Sequence, residues 1–142
     1  MGTEYGSAVK SFKVFGELIE ILVSGDETGG LSTTLVQHSP PGGGPPPHSH
    51  KNEDETFFVL EGEYEFLQDG VWRRVPQDHA IFGKRGIFHG FRNIGATNGK
   101  VLVFVAPAGF ERYLEEISFL SPSEDVSRII AISDRYGITF QQ

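Results

Sequence analysis

The sequence predicts an all-β barrel or sandwich that ends in two short α-helices. Three observations carry this. Aromatic and β-branched runs recur along most of the chain, with 12 phenylalanines among its 142 residues. Eighteen glycines and eight prolines break those runs, at the spacing of about 8–12 residues that marks short strands joined by turns. The tail then switches to a helical period.

Residues 18–23 alternate weakly and break at the turn 24–30. A second strand spans 31–38 and ends at 39–47, a glycine- and proline-rich stretch. It reads as a loop inside one domain, because neither flank is long enough to fold alone. Strands follow at 56–60, 64–67, 71–75, 80–82, 87–92 and 101–106. Turns at Glu61-Gly62 and 68–70 separate them, and Asn98-Gly99 reads as a hairpin signal before the last. No repeat at a short fixed period is present.

Phe110, Tyr113, Leu114 and Ile117 fall at i, i+3, i+4 and i+7, the stripe of an amphipathic helix. Ser121-Pro-Ser-Glu124 has the shape of a capping box with proline at the first helical position. Val126, Ile129 and Ile130 continue the helical spacing, and Gly137 sits where a C-terminal glycine would stop it. Residues 1–142 are thus expected to form one domain, with a barrel over about 14–107 and a helical segment over about 109–137.

Composition narrows the function. Nineteen acidic against 12 basic residues give a net charge of -7, which argues against nucleic acid as a partner. With no cysteine, disulfides, thiolate metal sites and cysteine nucleophiles are excluded. No apolar run approaches the ~20 residues of a membrane span. The first fifteen residues lack an apolar signal core. The expectation is a cytoplasmic protein that takes a small-molecule ligand, without nucleic acid or membrane. No nucleophile elbow or dinucleotide fingerprint occurs, and Gly42-Gly-Gly44 leads into prolines rather than a phosphate-binding helix.

Three histidines and a carboxylate carry the chemistry. His48 and His50 are two apart and share a face on a strand. Glu55 has the wrong parity for an unbroken strand, so a bend over 51–54 must return it to that face. His89 approaches from a later strand. Together these donors suit one divalent ion of iron, manganese, nickel, copper or zinc. On spacing alone, a pair of exposed loop histidines is an equal reading.

The run Gly42-(five)-His48-Ser-His50-(four)-Glu55-(six)-Gly62 resembles the first signature motif of the cupin superfamily at every fixed position. Asp78-(five)-Lys84-Arg-Gly86-(two)-His89-(three)-Asn93 resembles the second, with Asp78 replacing its glycine and Lys84 its proline. The resemblance implies a double-stranded β-helix, a small jelly-roll barrel, with His48, His50, Glu55 and His89 as metal ligands pointing inward. Phe57 and Val59 would then share the inner face with Glu55, and Phe91 and Asn93 with His89. They either line the pocket or fill the barrel. His38 is expected to enter the cavity as a supporting base or to sit on the outer face. His79 reads as a surface residue, and Glu53 and Asp54 as a solvated charge run.

The activity implied is a metal-dependent dioxygenase resembling quercetin-dioxygenase-like cupins, acting on a small aromatic or enolisable substrate with Glu55 as catalytic base. Two alternatives stand beside it. One is a non-redox metal-dependent isomerase, decarboxylase or lyase on a sugar or keto acid; the other is a non-catalytic small-molecule-binding cupin. Pairing of residues 9–23 across subunits would make a homodimer.

Overall fold

The computed structural model describes residues 9–142. The expectation about a leader therefore lies, for residues 1–8, outside the described residues. Among the described residues, eleven strands and two helices run in the order β1 (Lys10–Val14), β2 (Glu17–Val23), β3 (Thr33–Ser39), β4 (His48–His50), β5 (Asp54–Glu61), β6 (Tyr64–Gln68), β7 (Val71–Val75), β8 (Ala80–Gly83), β9 (Gly90–Asn93), β10 (Gly99–Ala106), α1 (Phe110–Ile117), α2 (Val126–Arg135) and β11 (Ile138–Phe140).

Six strands form an antiparallel sheet in the order β1-β2-β3-β10-β5-β8. A second layer holds β7-β6-β9 and the pair β11-β4, with β4 reaching β9 through a bridge from His48 to His89. Period-two alternation builds the interior. Val101, Val103 and Val105 of β10 and Phe57 and Val59 of β5 are buried, and Tyr64, Phe66 and Phe91 meet them from the opposite sheet. Each such side chain contributes roughly 1.5–3 kcal/mol of transfer free energy. This is the expected mostly-β barrel with two helices.

Several boundaries differ from the sequence reading. Leu31 belongs to the preceding turn, 75% exposed, and the strand starts at Thr33. β9 begins at Gly90 rather than 87, so His89 sits at a bridge and not inside a ladder. Asn98-Gly99 is no hairpin, because β9 pairs with β6 while β10 pairs with β3 and β5. Gly99 is needed for another reason: a Cβ there would lie 2.5 Å from the Tyr64 hydroxyl.

The serine-proline turn is also shifted. Ser121 Oγ accepts from the Glu124 amide, but the carboxylate that answers Ser121 N belongs to Asp125, and the helix starts only at Val126. Gly137, at φ 73°, ends it as expected. The chain then returns to the barrel as β11, outside the expected helical segment.

Residues 9–23 are used within the chain, as a hairpin that leaves β1 on the sheet edge. Its two-residue turn is Phe15-Gly16, both at positive φ. Among the described residues no helix is long and apolar enough to cross a membrane.

Candidate metal centre and its cavity

The bend expected between His50 and Glu55 is a crossing between sheets. β4 ends at His50, residues 51–53 turn, and β5 begins in the other layer, which restores Glu55 to the interior. Backbone bonds fix the crossing: Lys51 N donates to Gly137 O and Gly86 N to His50 O. His48 and His89 exchange both backbone bonds, at 2.9 and 2.8 Å. The four side chains therefore arrive from a strand, a crossing and a bridge, all held by main-chain bonds.

The motif glycines have a local cause. Gly42, Gly62 and Gly86 lie at φ 78°, 103° and 80°, where a Cβ is disfavoured. Asp78, which departs from the pattern, lies at φ 65°, a left-handed conformation that Asp tolerates better than most residues. Asn93 braces the same region. Its amide donates to Ser39 O and Thr97 O, and its Oδ1 accepts from Gly95 N.

One ligand atom from each of His48, His50, Glu55 and His89 falls within 4.8 Å of the others. All four residues are buried, at 7, 0, 2 and 6% exposure. Glu55 Oε2 lies 2.7 Å from His89 Nε2 and 3.5 Å from His50 Nε2, yet none of these three atoms has a hydrogen-bond partner. Buried polar atoms without partners cost free energy, and three of them aimed at one point are what a cation would satisfy.

The outer nitrogens support the same reading. His48 Nδ1 donates to Pro46 O at 2.8 Å, and His50 Nδ1 to Glu53 Oε2 at 3.2 Å. Each bond leaves the Nε2 lone pair facing inward, the arrangement in which a second group orients a ligating imidazole. Glu53, expected as part of a solvated charge run, is buried at 7% exposure. Asp54 instead forks onto Arg85, accepting from its Nε and Nη2.

Charge balance follows from packing. Burial alone would push the Glu55 carboxyl up, but His50, then His89 and His48, outweigh it and hold it down at about 2. Burial, helped by His89 and His50, holds His48 down at about 3. Burial opposes charge on His50 too, yet Glu55 and Glu53 raise it above its ordinary value.

His48 and Glu55 open onto a cavity of about 190 Å³. Phe57 and Phe91 line it, as do Phe110 and Tyr113 of α1 and Phe140 of β11. Other expected pocket residues lie elsewhere. Val59 is fully buried core, and Asn93 is the loop brace described above. His38 faces outward and pairs with Glu20; Gln37, its neighbour of opposite parity, takes the inner position. His79 is exposed, with Nδ1 on Gln77 O.

Sequence reasoning missed Glu53, three residues after His50, and Glu17, Gln37 and Phe15 of the cavity. For Glu53 the signal was its place beside a ligand motif. For the other three no local signal existed.

Residues 35–105 match the family model described as Cupin domain. No curated protein matches the chain. Among solved structures, an RmlC-like cupin from Shewanella frigidimarina superposes at TM-score 0.64 with 18% identity, over 78% of this chain and 96% of that one. A predicted oxalate decarboxylase from Thermotoga maritima does so at TM-score 0.61 with 22% identity, over 70% and 91%. The polyketide cyclase RemF from Streptomyces resistomycificus reaches TM-score 0.61 with 25% identity, over 77% and 80%.

Proposed function

The chain belongs to the cupin superfamily, and from that premise we propose that it is a metal-dependent dioxygenase acting on a small aromatic or enolisable molecule. One observation carries this reading: the cavity that reaches His48 and Glu55 is walled mainly by apolar side chains, and no Lys or Arg lines it among the described residues. A sugar or keto acid carries many polar groups, for which mainly apolar walls supply few partners. A flat neutral ring needs aromatic walls, which Phe57, Phe91, Phe110 and Tyr113 supply.

His48, His50, Glu55 and His89 would hold the metal, and the orphaned Nε2 and Oε2 atoms fit that task. When bound, the metal supplies Lewis acidity toward a substrate oxygen and, for a redox-active ion, electron transfer to dioxygen. The protein supplies the rest. Glu53 and the Pro46 carbonyl fix the two imidazoles of β4. Glu55, held ionised, stands ready to accept a proton at the cavity wall. The apolar walls exclude water from that transfer.

A second reading keeps the same substrate class with non-redox cyclisation or isomerisation. The 25% identity to a polyketide cyclase supports it. Metal analysis of protein purified without chelator, followed by oxygen-electrode assays on flavonols, catechols and diketones, separates the two. Stoichiometric iron, manganese, copper or nickel with oxygen uptake supports the dioxygenase. Turnover without oxygen uptake selects the second, and no metal after reconstitution sinks both. A homodimer belongs to the same proposal, and a monomer in static light scattering would remove it.

A further inference from the structure

We propose that Glu17 is a specificity determinant, recognising a hydrogen-bond donor, a hydroxyl or ammonium group, at the end of the substrate remote from the metal centre. The inference rests on the cavity being the substrate site.

Position comes first. Gln37 stands opposite Val101, which stands opposite Val59, whereas Glu55 stands opposite Val105, which stands opposite Thr33. Four residues of β3 therefore separate the row of Gln37 from that of Glu55, roughly 13 Å along a strand. Glu17 lies beyond Gln37, on β2, whose Ile19 pairs with Gln37. Both Glu17 and Gln37 line the cavity that reaches Glu55. The cavity thus has a metal end and a second polar end, with the aromatic wall between them.

Burial and charge come next. Glu17 is only 8% exposed, and among the described residues no Lys, Arg or His pairs with it. Its Oε1 accepts from Gln37 Nε2 at 3.0 Å and its Oε2 from Gly44 N at 2.9 Å. Two neutral donors orient the carboxylate without neutralising it, and each oxygen keeps a free lone pair. A buried charge without a counter-ion is costly. The carboxylate therefore calls for a ligand group that repays it. A hydroxyl or ammonium does so; a carboxylate or phosphate is repelled.

The hairpin tip adds to this. Phe15, two residues before Glu17, lines the same cavity from a turn where its φ is 52°, a conformation unfavourable for a bulky side chain. The turn accepts strain to bring a ring to the same cavity, and strain of this kind gathers at ligand sites.

The test uses metal-loaded protein and catechols that carry a two-carbon arm ending in hydroxyl, amine, methoxy or carboxylate, with binding read by calorimetry. The wild type should bind the hydroxyl and amine arms about tenfold tighter than the methoxy arm, the difference made by one charge-assisted hydrogen bond. The carboxylate arm should bind weakest. Glu17→Gln, which keeps an acceptor for Gly44 N, should erase the amine preference and relieve the carboxylate penalty at unchanged metal content. Equal binding of all four arms by the wild type overturns the role of Glu17 and leaves the metal site and aromatic cavity standing. An unchanged ranking in Glu17→Gln does the same. Failure of every catechol to bind removes the cavity reading and this inference together. The wild-type ranking needs no variant, so misfolding of Glu17→Gln would not shelter the idea.

Discussion

The cavity joins two regions of unlike origin. Residues 35–105, which match the family model, supply every metal ligand. Half of the cavity lining comes from outside that span, from the β1–β2 hairpin, α1 and β11. Backbone ladders join both regions to the sheets, but only the first carries the convergent donors. Chemistry is thus built into the barrel, while the shape that selects a substrate is built by segments added at either end. The two should respond differently to mutation.

The largest effect belongs to the barrel. His50→Ala and His89→Ala each remove one of four convergent donors, and we expect metal content to fall from near stoichiometric to trace. Far-ultraviolet dichroism should stay near wild type, because the backbone bonds of β4 do not involve the imidazoles. Elemental analysis of both variants checks this, and wild-type metal content in either would refute that ligand.

A step down, Glu53→Gln keeps the size of the side chain and weakens the bond to His50 Nδ1. Loss of such a supporting bond lowers metal affinity by about 10–100-fold. A competition titration against a chelator measures it. An unchanged affinity would mean that packing alone orients His50.

The contrast between regions also explains what the sequence disclosed. His48, His50, Glu55 and His89 stood out with their glycines through the resemblance of both motifs to those of the cupin superfamily, since spacing alone left exposed loop histidines an equal reading. The departures at Asp78 and Lys84 took no ligand away, and the φ of Asp78 shows why one of them is tolerated. Wall residues obey no such spacing. Glu17 and Glu53 look like surface carboxylates in the sequence because their burial depends on partners from distant elements. Asn98-Gly99 misled for the opposite reason: a strong local turn signal says nothing about which sheet the next strand joins. β11 escaped because short strands gain their order from their neighbours, and it pairs with the very strand that carries His48 and His50.

The added region can be loosened without touching the metal. Glu111 of α1 accepts from Thr33 Oγ1, Gly25 N and Gly109 N, tying the helix start to the sheet and the turn before β3. Burial opposes its ionisation, but these donors outweigh it and hold the carboxyl below its ordinary value. A folded-state pKa below the unfolded one gives stability that is present at neutral pH and lost as pH falls through the ordinary carboxylate range to the lowered value. Glu111→Gln should therefore cost about 1 kcal/mol at pH 7. The gap from wild type should narrow as the medium is acidified below about pH 4.3. Denaturant titrations at several pH values follow it, and a gap constant with pH would deny the carboxylate its part. Metal content should not change.

The smallest effect is the most discriminating, because two terms nearly cancel in it. Phe15 gives apolar contact to the core and cavity but occupies a positive-φ position in a two-residue hairpin turn. Such turns favour Asn followed by Gly, and Gly16 already fills the second place. Phe15→Ala discards the ring and keeps a side chain ill suited to that backbone, so it should lose about 1 kcal/mol or more. Phe15→Asn discards the same ring but relieves the turn, by an amount on the order of 1 kcal/mol, so its stability should stay close to wild type. Thermal unfolding of the pair isolates the conformational term, since both lack the ring. If Ala and Asn are equally destabilised, the turn stores no strain, and Phe15 sits there for packing alone. If Asn recovers stability while aromatic ligands bind more weakly to both variants, the hairpin tip gives up stability to shape the cavity, as expected of a region whose task is selection rather than chemistry.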